Sequence, residues 1–482
     1  MFSSVLVCIL IEESFDKCSR RFPPEEKCHS KRNLNLLVLL VLHRRESEVI
    51  SIREQIIEVS GICGCTKCGT ILWKDDVMMD QLIEKFSMLG VDNAPGQETL
   101  QDGEGLRLIG EKIPGRPVDF SHGDVNAFEP IPGSLDAFVE GVHLGGEQAY
   151  TEYKGRGNIR EWLSEKLSAF TNTTISPDTQ LIITPGTQGA LFLAMGSLIG
   201  RGDKVAIVEP DYFANRKLVQ FFDGEIIPVV LDFLESDKRA CLNLAELEDA
   251  FKTGVKVFLF SNPNNPTGVI YSYDEIRSIA FLAKKYDVSV IADQLYARQI
   301  FDGRVYTHLC AQDTKPVNLI TIIGPSKTES LSGYRLGVAF GSENIIARME
   351  KLQAIVSLRA GGYSQAVLTS WFNEPEGWME DRMSAHQRIR DDLVALLHGV
   401  EGVKVRKTEA GSYLFVRVPE LRVTMREFVK ILRFQADVTV TIGTEFGPQF
   451  ANSFRINFSQ DHHFAVEAIN RTVQLIERYR RE

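Results

Sequence analysis

The sequence predicts an α/β fold with a mostly parallel central sheet flanked by helices, and two observations predict it. From about residue 150 onward, apolar runs at 181–183, 205–208, 257–260, 288–292 and 319–323 alternate with helical stretches such as 274–285. That is the pattern of strands joined by crossover helices. Polar motifs sit just after these runs, and in sheets of this kind ligands bind outside the carboxyl ends of the strands. A ligand site at one edge of the sheet is therefore expected.

Composition sets the frame. A chain of 482 residues can hold two or three domains, and 44% apolar with 24% charged residues is ordinary globular usage. The net charge of −10 argues against nucleic acid as a main partner, because phosphate binding needs concentrated Lys and Arg. Residues 1–60 hold nine Lys or Arg and nine Asp or Glu, so a basic DNA-binding segment fused to a ligand-sensing domain is also disfavoured.

Four motifs carry the chemistry, in this order: Ser261-Asn-Pro-Asn-Asn-Pro-Thr-Gly268, Asp293-Gln-Leu-Tyr296, Ser326-Lys327 and Gly333-Tyr-Arg335. Asn265 to Asp293 is 28 residues, Asp293 to Lys327 is 34, and Lys327 to Arg335 is 8. Any one of these pieces is common turn punctuation. Together, at these spacings, they describe a pocket for pyridoxal phosphate, and the chain resembles the class I/II (fold type I) aminotransferases, in an aspartate aminotransferase-like form.

The resemblance implies a large cofactor domain, a smaller α/β domain and a set of site residues. The cofactor activates an amino acid while the protein supplies attachment, protonation and aim. Lys327 would be the attachment point and then the group that moves the proton between Cα and the cofactor. Asp293 would keep the pyridine nitrogen protonated, since a nearby carboxylate favours the charged form. Tyr296 and Asn265 would bond the ring oxygen, and Tyr212 would stack on the ring. Gly186-Thr187-Gln188, at the start of an amphipathic stretch to about 199, would receive the phosphate at a helix N-terminus, with Ser326 and the guanidinium of Arg335. Tyr150 matches a tyrosine that reaches the neighbouring subunit's phosphate, which implies a homodimer with shared active sites.

Substrate recognition is implied in the same way. Arg455, in Ser453-Phe-Arg-Ile-Asn457, matches the arginine that binds the substrate α-carboxylate, and Gly123 falls where the substrate segment passes it. Arg359, in Leu358-Arg-Ala-Gly-Gly-Tyr-Ser364, matches the arginine by which aspartate aminotransferases take a dicarboxylate side chain across the dimer, after one inserted glycine. The implied reaction is ping-pong transfer of the amino group of an L-amino acid to a 2-oxo acid, extending to acidic substrates. The cofactor motifs are equally compatible with a decarboxylase, β-lyase or oxidative deamination on the same fold. Two features depart from the family: Gly324-Pro325 replaces a phosphate-contacting serine or threonine, and Thr328-Glu-Ser330 follows the lysine where small or apolar residues are usual.

The expected organisation is 1–78 as an unmatched, poorly ordered extension, 79–144 as the first part of the small domain, 145–360 as the large cofactor domain and 361–482 as the rest of the small domain. The extension holds six of the eight cysteines, including Cys63, Cys65 and Cys68. The second ligand pair that a finger-type zinc site needs is absent or irregular, so no metal is expected. The run 36–42 is too short to span a bilayer, and Glu12, Glu13 and Asp16 oppose a mitochondrial transit peptide. The cytoplasm is the expected location, with no membrane partner.

Overall fold

Eight strands form the main sheet: β1 Leu181–Pro185, β2 Lys204–Glu209, β3 Glu225–Asp232, β4 Cys241–Leu242, β5 Val257–Ser261, β6 Ser289–Asp293, β7 Leu319–Ile323 and β8 Leu336–Gly341. Their order is β1-β8-β7-β6-β5-β2-β3-β4. The run β7-β6-β5-β2-β3 is parallel, β8 is antiparallel to both β7 and β1, and β4 is antiparallel to β3. The expected α/β class and mostly parallel sheet are borne out. This computed structural model describes residues 5–7, 40–42, 74–90, 105–122, 127–144, 150–234 and 241–482.

Both faces of the sheet are buried. Leu181, Ile183, Phe258 and Phe260 join one apolar layer, while Ile182, Val257 and Leu259 join the other. Side chains alternate across a strand, so strands covered on both faces become apolar at nearly every position. That is the physical origin of the unbroken runs in the sequence.

The helices carry their own stop and start signals. Tyr273–Lys285 begins with a capping box in which Ser272 and Glu275 bond each other's backbone. Asp274 and Glu275 lie in its first turn and Lys284 and Lys285 in its last, matching the helix dipole. Gly186–Leu198 corrects the expectation of an amphipathic helix. It is clamped between β8 and the helix Glu343–Val356, and buries Ala190, Leu191, Leu193, Ala194 and Met195. A helix covered on both sides loses its polar face.

A second core forms around a three-stranded sheet, Tyr413–Arg417, Ser453–Asn457 and Thr441–Ile442. The helices Trp378–His398, Met425–Ala436 and His462–Tyr479 supply much of it. Val118 and Phe120 join the same core, and the short strand Val118–Asp119 pairs with Val438–Thr439. The segment before the main sheet and the C-terminal stretch thus share one apolar interior.

Residues 1–73 and 74–482 form two compact units. Of the first, the antiparallel pair Val5–Val7 and Leu40–Leu42 is described; the cysteine cluster 63–68 lies outside the described residues. The helix Lys74–Leu89 opens the second unit. Among the described residues, no helix is long and apolar enough to cross a membrane, and no group of three or more His, Cys, Asp or Glu is placed to hold a metal.

Candidate active site

The carboxyl ends of the parallel strands converge on one cavity of about 250 Å³. Thr187, Gln188, Tyr212, Asn265, Asp293, Tyr296, Ser326, Lys327, Arg335 and Arg455 all line it. Asp293 closes β6, Asn265 follows β5, Tyr212 follows β2 and Lys327 follows β7. Arg335 precedes β8, and because that strand runs the other way its amino end meets the carboxyl ends of its neighbours.

One end of the cavity is a cradle of backbone and cation. Gly186, at φ 77°, opens the helix after β1. A Cβ there would lie 2.7 Å from Nη2 of Arg335 and displace the guanidinium from the helix start, and the positive φ independently favours glycine. A Cβ on Gly337 would lie 2.3 Å from the Thr187 nitrogen, which brings β8 against the same turn. Arg335 Nη1 is fixed by the Ser332 carbonyl at 2.8 Å. Helix N–H groups and a guanidinium facing one space make an anion site. Gly324 also has a physical reason here: its Cβ would lie 2.8 Å from Cγ2 of Thr187. The glycine that replaces the usual hydroxyl makes room for the threonine.

The middle of the cavity holds the titratable groups. Asp293 accepts from the Leu295 N–H at 3.1 Å. Its half-buried carboxyl faces the cavity, and desolvation pushes its pKa up to about 6. Tyr212 donates to Gln188 Oε1 at 3.0 Å, and burial raises its pKa. Tyr296 is buried and its hydroxyl donates to Tyr413 at 2.9 Å. Burial likewise pushes the Tyr296 pKa well up, so the phenol stays protonated.

At the far end stands Arg455, only 2% exposed. Nη1 donates to Asn265 Oδ1 at 3.0 Å and Nη2 to the Ser121 carbonyl at 2.8 Å. Its guanidinium lies 4.2 Å from the Tyr413 ring centre and 4.8 Å from that of Phe446. None of these neighbours is acidic, and Nε has no hydrogen-bond partner. A buried guanidinium in such a place is costly without an anion.

Some expected residues stand elsewhere. Arg359 lies outside the cavity, with its guanidinium 4.6 Å from the Tyr150 ring and 5.1 Å from that of Tyr153, and it donates to the Thr151 carbonyl. Tyr150 is 74% exposed. The two residues expected to serve a neighbouring subunit therefore share one patch of their own chain's surface. Gly123 lies outside the described residues. Conversely, His122, Ser261 and Tyr413 line the cavity without having been singled out. Tyr413 sits in an apolar strand with no motif around it, and only the fold brings it to Tyr296 and Arg455.

Comparison with known proteins decides the family. The model for aminotransferase class I and II matches residues 119–469. The chain belongs to this family. Aspartate aminotransferase of Sulfolobus acidocaldarius is 28% identical over 78% of this chain and 92% of its own. The crystal structure of an aspartate aminotransferase from Rhodobacter sphaeroides is 60% identical, with a TM-score of 0.78, and covers 83% of this chain and 100% of its own. An aromatic aminotransferase from Pyrococcus horikoshii shares the fold at 22% identity and a TM-score of 0.70, over 75% of this chain and 96% of its own. This aminotransferase is a pyridoxal 5′-phosphate-dependent transaminase of fold type I. The residues present fit that cofactor: an anion cradle stands at one end, and the half-buried carboxyl of Asp293 with a raised pKa, which a cationic ring nitrogen would relieve, stands in the middle.

Two outcomes follow. The folded pKa of Asp293, about 6, lies above its ordinary 3.8. Its stabilising contribution is therefore present below pH 3.8 and lost as pH rises through 6. In cofactor-free protein, Asp293→Asn should match wild type in melting temperature near pH 4 and exceed it from about pH 7 upward; a constant difference across that range would contradict the assignment. Gly324→Ala should weaken cofactor binding about tenfold by overpacking against Thr187. Adding Thr187→Ser, which removes Cγ2 and keeps the hydroxyl, should restore most of it in an equilibrium titration of the cofactor-free protein.

Proposed function

We propose that this transaminase moves the amino group of an acidic L-amino acid, aspartate or glutamate, to a 2-oxo acid by a ping-pong mechanism. The observation that carries the proposal is Arg455: a buried guanidinium facing the cavity, with an unpartnered Nε and no acid among its neighbours. An α-carboxylate is the ligand it suits. The acidic side chain rests on the likeness to the 60% identical aspartate aminotransferase from Rhodobacter sphaeroides.

When bound, the cofactor supplies an electron-withdrawing ring that stabilises charge at Cα. Lys327 would anchor it through its amine and, once displaced by the substrate amine, take the Cα proton and return it to the adjacent cofactor carbon. Asp293 would hold the proton on the pyridine nitrogen. Asn265 and Tyr296 would donate to the ring oxygen, and Tyr212 would cover the ring face. Gly186, Thr187, Gln188, Ser326 and Arg335 would bind the phosphate. Arg455 would orient the α-carboxylate so that the Cα–H bond faces Lys327, with Gly123 beside it.

We assign residues 145–360 to a large cofactor domain, and 79–144 with 361–482 to a small domain that would close over the substrate and exclude water. The grouping of Val118 and Phe120 with the C-terminal helices in one core supports it. In a homodimer, Tyr150 would reach the neighbour's phosphate and Arg359 its substrate side chain; their shared exposed patch supports this reading. The enzyme would act in cytoplasmic amino acid biosynthesis.

Single additions of amino acids to cofactor-loaded protein, without any keto acid, test the proposal. Stoichiometric conversion of the bound cofactor to its amine form by aspartate or glutamate is expected, and ammonia or carbon dioxide release instead would defeat it. Arg455→Leu should lower kcat/KM by about 100-fold or more for every donor, as removal of one member of a buried ion pair does. Arg359→Ala should raise KM for aspartate far more than for alanine; equal effects would remove Arg359 from substrate recognition.

A further inference from the structure

We propose that Asp211 is a positioning residue that fixes two walls of the cofactor cavity at once, the Tyr212 ring and the Asn265 side chain. Asp211 is 3% exposed and does not line the cavity itself. It sits two residues beyond β2, beside the end of β5, and its carboxylate ties these neighbouring strands together where they open into the site.

The bonding pattern is specific to a carboxylate. Oδ1 accepts from the Ser261 hydroxyl at 2.5 Å, the Tyr212 N–H at 2.6 Å and Asn215 Nδ2 at 3.3 Å. Oδ2 accepts from the Ser261 N–H at 2.9 Å. Four donors converge on two oxygens, a demand that an ionised carboxylate meets and an amide, with one acceptor and one donor group, does not. Burial pushes the Asp211 pKa up to about 7, and the Ser261 and Tyr212 donors oppose that rise.

The bonds lead directly into the site. The Tyr212 amide held by Asp211 is the last backbone group before the helix Phe213–Phe221, so the bond sets where the tyrosine ring leaves the chain. The Ser261 hydroxyl donates to Asp211 and accepts from the Asn265 N–H at 3.1 Å. Asn265 in turn receives Arg455. The Asp211 N–H reaches the carbonyl of Phe446, whose ring packs on the Arg455 guanidinium. One carboxylate therefore stands behind the ring-stacking wall and behind the asparagine that meets the substrate arginine.

The test uses full-length cofactor-free protein titrated with pyridoxal phosphate, followed by intrinsic fluorescence, with visible circular dichroism at saturation and the melting temperature recorded alongside. Asp211→Asn and Asp211→Ala should raise the cofactor Kd about tenfold and weaken the dichroism of the bound cofactor, because unpaired donors release both walls. Ser261→Ala, which removes the hydroxyl relay, should change both in the same direction by a smaller factor, and it decides the matter if the Asp211 variants do not fold. Leu247→Ala, a core change in the helix Leu244–Lys252, should lower the melting temperature and leave Kd and dichroism unchanged. Unchanged Kd and dichroism in the Asp211 and Ser261 variants, or an equal rise in Kd in Leu247→Ala, would overturn the proposal.

Discussion

The buried parallel sheet is the constraint on which the rest of the structure depends. With both faces covered by apolar layers, its strands carry few polar side chains away from their ends, Thr321 in the middle of β7 being one. Each strand therefore delivers its chemistry in the first residues past its carboxyl end, and parallel neighbours deliver at the same edge. Asp293 closes β6 and pairs across to Ile322 of β7, so the lysine loop begins beside the carboxylate. The antiparallel β8 completes the rim from the opposite direction, which is why Arg335, ahead of its strand, joins residues that follow theirs.

Charge is then placed before any ligand arrives. Asp293 and Arg455 lie at the middle and far end of one cavity, one with a pKa raised by burial and the other a guanidinium surrounded by neutral groups. Such groups destabilise a protein that must keep them buried alone. In the proposed assignment they would become favourable when a cationic ring nitrogen meets the first and a carboxylate meets the second. Cofactor and substrate are in this sense missing parts of the electrostatics, and the energy of completing each pair is available for orientation.

The motifs were legible because the chemistry fixes residue type and the strand ends fix position: Asn265, Asp293, Lys327 and Arg335 could be read from the order and spacing of motifs that resemble the family's, and the cavity brings them together. The helix Gly186–Leu198 was misjudged because its environment, not its pattern, decides that Gln188 alone of its residues is exposed. Tyr413 and Asp211 were invisible for a different reason. Each acts through a contact across the fold, with Tyr296 in one case and Ser261 in the other, and no local pattern records a partner 117 or 50 residues away. Gly324 read as a lost phosphate contact, whereas the packing of Thr187 against it accounts for the glycine.

The run after the lysine is the other departure that packing explains. Glu329 is buried and pairs with Arg298 at 2.5 Å, and Arg298 also meets Glu374. Arg382, from the helix Trp378–His398, bonds the Thr328 carbonyl, the Ser330 hydroxyl at 3.0 Å and the Glu129 carbonyl. Burial raises the Glu329 pKa and lowers that of Arg382 to about 10, so both groups bear a desolvation cost. Apolar residues of similar volume would give equal or greater stability. What they would not give is direction: charged hydrogen bonds to Thr328 and Ser330 hold the backbone on the far side of Lys327 in one place. A lysine with the role proposed for Lys327, anchoring a ring and reaching a single Cα proton, would need that fixed origin more than the chain needs the extra stability.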